Sequence, residues 1–480
     1  MRKSLPWLAA LVVVLGMGGW LAYDRFFRWE SPTYGSDLEH FKYGSIGNDS
    51  ETGVPYLVWR VLPTVFPDLL PGAGGYGSLG LVWEKGHSEA DAPIGFSKVR
   101  VGFERMAINC AFCHTTIARS RPDAEPMAYP TGPSNLTDVQ AYQRFLSACA
   151  SDPRFSPDVL LPAIEAVTPL SVLDRIFYRF LIIPATKSAL IRQKEIFAWS
   201  FARPLWHAGR IDPFNPVKFD MLRLPDDGTI GNSDMMAVWG LDARNVIRAN
   251  APLHWDGLNI SIHEVVISSA LGDGGRASAP SFFESMDRVE RFLRGSRAPA
   301  SPFQPDPVLA ADGAAVFAVH CAECHGNGGS RTLTVVPLVE VGTDRHRTDM
   351  WTVAARDAYN AYNQGYAYGF KSFQKIEGYI SEPLDGLWLT GPYLHNGSVP
   401  TVADLLEPAA SRPKAFVRGT TVLDAEKIGF LAPSCVPGQK LDAGYCYDTS
   451  EPANSPEGHE YGTSLPHADK AALIAYLKTL

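Results

Sequence analysis

What this 480-residue chain has little of narrows its possible roles first. Lys and Arg number 43 against 51 Asp and Glu, a formal net charge of −8, and the basic residues nowhere cluster, which excludes a nucleic-acid-binding role. The acidic balance permits a basic protein partner without requiring one. Cysteine is sparse, seven in all. Its two closely spaced pairs lie roughly two hundred residues apart, whereas a zinc ribbon needs them about fifteen to twenty apart. Strand-like runs such as Leu333 to Val336 are few, and methionine is absent after Met350.

The cysteines do form C-x-x-C-H, twice, at Cys110/Cys113/His114 and Cys321/Cys324/His325. With seven Cys and twelve His in the chain, chance would supply one such pentapeptide in roughly one of four hundred comparable sequences, so two copies are not coincidence. Two thiols three positions apart reach the two vinyl groups of one porphyrin, and the next residue turns its imidazole onto the iron. The motifs therefore predict two covalently bound haem c groups, with His114 and His325 as proximal ligands. A redox C-x-x-C is the alternative, but neither copy stands in a thioredoxin-like context.

Arg2 and Lys3 precede an apolar run from Pro6 to Tyr23 that Asp24 and Arg25 close, the charge-then-hydrophobic order of an export signal. No small-x-small cleavage site is obvious around Gly18 and Gly19. Residues 1–27 therefore read as a signal anchor, with 6–23 in the inner membrane and the rest periplasmic or extracytoplasmic. Arg25 and Arg28 weaken the positive-inside contrast, so cleavage or lipid-surface association stays open. In such an oxidising compartment Cys435 and Cys446, flanking Pro437, Gly438 and Gly444, can close a short disulfide loop. Cys149 reads as a small buried hydrophobe.

The clearest boundary is Gly295 to Pro307, interrupted by Pro299, Pro302 and Pro305. It divides a first cytochrome c domain (103–297) from a second (308–480), with 298–307 as linker. Residues 28–102, rich in Pro, Gly and aromatics such as Phe41, Tyr43, Tyr56, Trp59 and Phe66, form an extension packed on the first domain. Each unit closes with an amphipathic helix, carried by Met286, Val289, Phe292 and Leu293 and by Leu473, Ile474, Tyr476 and Leu477. An internal repeat appears when L-H-W-D-G-L-N-I-S-I-H-E-V-V is set on Y-L-H-N-G-S-V-P-T-V-A-D-L-L with Gly257 against Gly397. Ser261 and Thr401 then coincide as helix N-caps, and Glu264 and Asp404 as capping-box partners. Trp255 falls on His395. With helical periodicity also over Ser171 to Ile183 and Thr352 to Tyr362, the expectation is a mainly α fold, two cytochrome c-like helical domains with long irregular loops and an N-terminal membrane-anchor or signal helix.

The segment L-T-G-P-Y-L-H-N-G-S from Leu389 to Ser398, together with W-D-G at Trp255 to Gly257, resembles the bacterial di-haem cytochrome c peroxidase superfamily, which also holds di-haem tryptophan-modifying enzymes and di-haem rubber oxygenases. The rubber-oxygenase branch looks nearest, through F-K-Y-G-S-I-G from Phe41, G-G-Y-G-S-L-G-L from Gly74, R-P-K-A-F-V-R-G from Arg412 and G-H-E-Y-G from Gly458. The resemblance implies a first haem where dioxygen or peroxide reacts, a second that stores or relays electrons, and Trp255 as the relay between them. Trp255 is equally readable as a core aromatic beside a haem. A calcium ion bridges the domains in some relatives.

Distal ligands decide between electron transfer and oxygen chemistry, because only an iron with an open face binds oxygen species. The peroxidases use a methionine after the P-Y-x-H-x-G-S segment, and this chain has none there. The rubber-oxygenase resemblance implies two histidines on the second iron, so the candidates are His459 and then His395, with Met350 a remaining possibility. For the first haem the candidate gate is His207, in L-W-H-A-G-R. Without it the site is open and finished by the helix Ser261 to Leu271, while His254 packs or bonds to a propionate. Leu271 and Phe282 are readable as walls of an apolar substrate channel or as core. The leading expectation is an oxidoreductase acting on dioxygen or peroxide, with rubber-like polyisoprenoid as the implied apolar organic substrate and a redox partner protein. Hydrogen peroxide reduction is the enzymatic alternative, and a membrane-tethered electron carrier with both irons six-coordinate is the non-catalytic one.

Overall fold

The computed structural model describes residues 5–86 and 91–480. It corrects the mainly helical expectation: 42% of the chain is helix, 11% is strand, and the strands form several small sheets, so no clear pair of all-helical cytochrome domains emerges. One antiparallel sheet is ordered Trp29–Glu30, Phe96–Val101, Phe103–Ile108, Val54–Pro55. Four two-stranded ladders pair Thr115–Ala118 with Met127–Pro130, Arg210–Ile211 with Ser233–Asp234, Val335–Pro337 with Gly378–Ile380, and Ala415–Arg418 with Tyr445–Asp448. All but two of these strands have four residues or fewer. Period-2 alternation cannot show over so short a run, which is why the sequence reads as loop there.

The apolar run near the start lies in the helix Leu5–Phe26, whose Leu11 to Leu15, Met17, Trp20 and Tyr23 are exposed. Among the described residues no helix is long and apolar enough to cross a membrane, which corrects the expectation of a spanning anchor. Charge ends the run: Asp24, 7% exposed, pairs with Arg28 and with Arg100 of the strand Phe96–Val101, both at 3.0 Å, so the last turn of the helix belongs to the folded body.

The expected local signals form where their side chains can serve the backbone. Ser171 accepts the Asp174 N–H and opens Val172–Phe177, which continues through a π-helical turn, Tyr178–Ile182, into Ile183–Ile196. Thr352 caps Val353–Ala361. The strand expected from Leu333 begins only at Val335. Cys435 and Cys446 are joined by a disulfide, and Cys149 is fully buried.

Two different supports present the C-x-x-C-H motifs. The first follows the strand Phe103–Ile108 through Asn109, whose Oδ1 accepts the Ala111 N–H at 3.0 Å while its Nδ2 donates to the carbonyls of Lys42 and Gly44. Residues around 41–66 thus brace the motif from both sides. Phe41 packs in one core with Ala111, and Trp59 in another with Phe112, stacked on Tyr76 at 4.2 Å and donating from Nε1 to Tyr142 Oη at 3.0 Å.

The second motif follows directly on the helix Pro307–His320, N-capped by Asp306 and packed on the C-terminal helix His467–Leu477. Residues 296–306 before it are irregular. The two helices meet so closely at Gly313 that a Cβ there would lie 1.9 Å from Ala472 O. Gly313→Ala must therefore push the helices apart. The expected cost is about 1–3 kcal/mol, read as a lower denaturant midpoint of the whole chain, and an unchanged midpoint would show that the contact is slack.

Candidate functional site

The thiols of Cys110, Cys113, Cys321 and Cys324 are half-buried and unpaired. Burial pushes Cys110 up to about 12 and Cys321 up to about 11. A redox C-x-x-C works through a thiolate stabilised by a lowered pKa, so this environment disfavours that alternative. Each motif's histidine is oriented by a backbone carbonyl: His114 Nδ1 lies 2.8 Å from Met236 O, and His325 Nδ1 lies 2.7 Å from Glu382 O. A carbonyl only accepts, so Nδ1 carries the proton and the Nε2 lone pair is free for a metal. Burial holds both imidazoles below their ordinary pKa, in the neutral, ligating form.

The internal repeat is a repeat of geometry. Gly257 and Gly397 take the same left-handed conformation, φ +64° and +66°. Their N–H groups close equivalent turns on His254 O and Leu394 O at 2.9 and 3.0 Å. Asp256 and Asn396 accept the N–H two residues on, each at 3.3 Å. Ser261 and Thr401 cap the helices that follow, accepting from Glu264 N and Asp404 N. The capping box is incomplete in both copies. Glu264 accepts instead from Ser372, tying its helix to a distant segment, and Asp404 accepts from the Thr401 hydroxyl.

These two turns cross over. Trp255 O accepts the Ile380 N–H at 2.8 Å, two residues before the carbonyl that orients His325. His395 O accepts the Asp234 N–H, also at 2.8 Å, two residues before the carbonyl that orients His114. Each turn is thereby bonded to the support of the other unit's C-x-x-C-H histidine. The rings of Trp255 and His395 come to 6.0 Å, and Tyr379 stacks on His395 at 4.3 Å. Beside them Arg347 pairs with Asp256 at 2.6 Å, both buried, and its guanidinium lies 5.6 Å from the Trp255 ring.

His459 faces His325, ring centre to ring centre 6.2 Å. With metal–nitrogen bonds of about 2 Å and roughly 1 Å from each nitrogen to its ring centre, two axial imidazoles need about 6 Å, so the pair fits one metal. The His459 N–H bonds Val341 O, and Arg412 clamps the surrounding turn through the carbonyls of Pro456, Gly458 and His459. His395 does not face His325. Met350 is fully buried in another core with Leu253 and Trp351, its methyl against Gly231.

No aromatic or imidazole ring faces His114 among the described residues in the way His459 faces His325. His207 is stacked on Tyr445 at 4.3 Å, and burial followed by the charges of Arg210 and Arg418 holds its pKa down to about 4. His254 is buried with Nε2 unpartnered, pushed down to about 3 by burial and then by the charges of Arg244 and His114. Leu271 is half-buried, at the end of the helix Ile262–Gly272, and Phe282 is a core residue. Among the described residues no group of three or more His, Cys, Asp or Glu is placed to hold a bare metal ion such as calcium.

Sequence reasoning missed Arg210, Arg347, Arg412 and Arg418 as site residues. Arg412 and Arg418 bound the R-P-K-A-F-V-R segment, and a charged residue at each end of an apolar strand was the available signal. Arg418 is buried against Asp234 and bonds Gly397 O at 3.2 Å, so it anchors the second turn to the first unit.

Comparison with known proteins bears on this geometry. The chain is 47% identical over 111 residues to the uncharacterized protein y4iJ of Sinorhizobium fredii, covering 21% of this chain and 18% of that protein. It is 31% identical over 200 residues to the uncharacterized protein y4iM of the same organism, covering 36% of this chain and 45% of that protein. The matches thus span less than half the length of either relative. Residues 378–417 match the profile of the family described as RoxA-like, cytochrome c-like. That stretch contains the carbonyl of Glu382 that orients His325, the turn at Gly397, and Arg412. The match supports a RoxA-related cytochrome family and points to haem c binding.

Proposed function

We propose that this chain is an extracytoplasmic di-haem c-type cytochrome acting as an oxidoreductase. Cys110, Cys113 and His114 would hold one haem, which would react with dioxygen or peroxide. Cys321, Cys324, His325 and His459 would hold the other, which would exchange electrons with it. The observation that carries this reading is the asymmetry between the two histidines, since His325 is faced by an imidazole at 6.2 Å and His114 is not.

When bound, haem supplies redox chemistry, and an open axial position is what separates oxygen activation from electron transfer. The residues of the chain orient and insulate. The carbonyls of Met236 and Glu382 fix the proximal tautomers, and the crossed turns set Trp255 and His395 side by side at the seam, where the Trp255 indole would relay electrons. A His207 ring already stacked on Tyr445 favours leaving the first face open.

The RoxA-like match and the resemblance of the flanking motifs favour an apolar organic substrate of the rubber-like polyisoprenoid class, with hydrogen peroxide reduction as the alternative reaction and a redox partner protein as the electron source. The Cys435–Cys446 disulfide fits an oxidising compartment. The exposed apolar side chains from Leu11 to Trp20 fit contact with lipid.

The test is an ultraviolet–visible spectrum of the purified protein before and after dithionite and then carbon monoxide, with the haem counted as its pyridine complex. Two covalent haems per chain, of which one responds to carbon monoxide, is the expected result. Two unresponsive haems would make the protein an electron carrier, and no covalent haem would remove the reading altogether.

A further inference from the structure

At the seam between the crossed turns, three buried side chains hold hydrogen-bonding capacity that the protein does not use. His395 is 8% exposed, and neither its Nδ1 nor its Nε2 has a partner. Arg210 is 1% exposed, makes no ion pair among the described residues, leaves Nε unpartnered, reaches Ala453 O at a long 3.4 Å and lies 5.1 Å from the centre of the Tyr447 ring. Arg347 is 2% exposed, gives Nη2 to Asp256 and leaves Nε unpartnered.

These three are neighbours. Arg210 is the cross-strand partner of Asp234, whose N–H bonds His395 O. Arg347 lies over Trp255, whose ring is 6.0 Å from that of His395. After burial, the charges of Arg347 and then Arg210 are what hold the His395 imidazole down to about 3. The nearby carboxylates are already engaged: Asp234 by Arg418, Asp256 by Arg347, and Asp212 by Asn215 and the Gly231 N–H. Asp234 and Asp256 balance charge here without satisfying every donor, and an imidazole with two empty nitrogens adds its own desolvation penalty. What the cluster lacks is acceptor oxygens for its unpartnered nitrogens, which a carboxylate brings in the geometry a guanidinium fork is shaped to bind.

We propose that Arg210, Arg347 and His395 form a carboxylate-binding cradle at the seam between the two units, and that haem propionate occupies it. This rests on the di-haem reading above. The cradle sits where a propionate would be useful, because its backbone bonds run to the segments that orient both His114 and His325. His395 is then a positioning residue whose neutral imidazole donates a hydrogen bond to the propionate, rather than an axial ligand.

The test uses full-length, haem-loaded protein. His395→Phe keeps a ring on Tyr379 and removes both nitrogens. A propionate that loses its donor stabilises the ferric iron more, so the midpoint potential of at least one haem should fall. The expected shift is about tenfold towards oxidised haem at fixed poise, about 59 mV for a one-electron couple. Wild type and variant are also grown on 5-aminolaevulinate labelled with 13C at its carboxyl, and their redox-difference infrared spectra compared. Propionate bands, recognised by the isotope shift, should differ between the two. Unchanged potentials in a variant more stable than wild type would overturn the proposal, since that is what removing orphaned polar atoms does alone. Carboxylate bands that change without an isotope shift would also overturn it, by making the occupant a free anion. Should the variant not fold, labelled wild-type bands identical to those of water-exposed propionates would refute the cradle, and bands displaced from them would support it. A pyridine count below two haems on the same sample would instead refute the reading on which the proposal rests.

Discussion

His459→Gly is expected to open the second iron: the reduced variant should bind carbon monoxide stoichiometrically at a haem that is unresponsive in the wild type. The substitution is unusually clean. His459 has φ +51°, a left-handed conformation that glycine adopts without strain, so the backbone has no reason to move. The turn is held by groups that the change leaves in place, namely the N–H of residue 459 on Val341 O and the Arg412 guanidinium on three carbonyls. Tyr461, edge-on to the imidazole at 5.1 Å, loses a neighbour but no hydrogen bond. The effect is therefore confined to loss of a ligand facing His325 across 6.2 Å. A carbon monoxide spectrum identical to wild type would show that His459 does not reach the iron.

Asp256→Ala should be among the most destabilising single changes in the chain. It leaves Arg347, 2% exposed, without its ion-pair partner beside Trp255. Breaking one side of a buried pair costs about 3–5 kcal/mol, whereas an exposed pair such as Arg121 with Asp123, both over 70% exposed, contributes about 0–1 kcal/mol. The double change Asp256→Leu with Arg347→Met removes both charges and should recover most of the loss. Denaturant unfolding of the three variants measures this, and a double variant as unstable as Asp256→Ala would mean that the loss comes from the turn and not from the charge. Asp256 also accepts the Leu258 N–H, so the same change should loosen the Trp255 turn and weaken the coupling between the two haem sites.

How much of this was legible in the chain follows from the range of the interactions concerned. The C-x-x-C-H motifs, the caps at Ser171, Ser261, Thr352 and Thr401, and the glycine turns at Gly257 and Gly397 depend on residues within a few positions of one another, and they stand where the sequence puts them. The small sheets were not legible, because strands of two to four residues carry no period and exist only through their partners. The spanning anchor was read from hydropathy alone, and among the described residues no helix is long and apolar enough to cross a membrane.

By itself the sequence determined the chemistry: two thiol pairs each followed by an imidazole, a duplicated turn and helix, and a RoxA-like segment. Only the tertiary structure decided the geometry among them. It set His459 and not His395 opposite His325, sent His207 onto Tyr445, retired Met350 to the core, and crossed the two turns so that each grips the support of the other unit's C-x-x-C-H histidine. The physical reason is that facing, burial and charge pairing are properties of segments far apart in the chain, brought together by the burial of apolar surface, which has no direction and leaves no short-range mark in the order of residues.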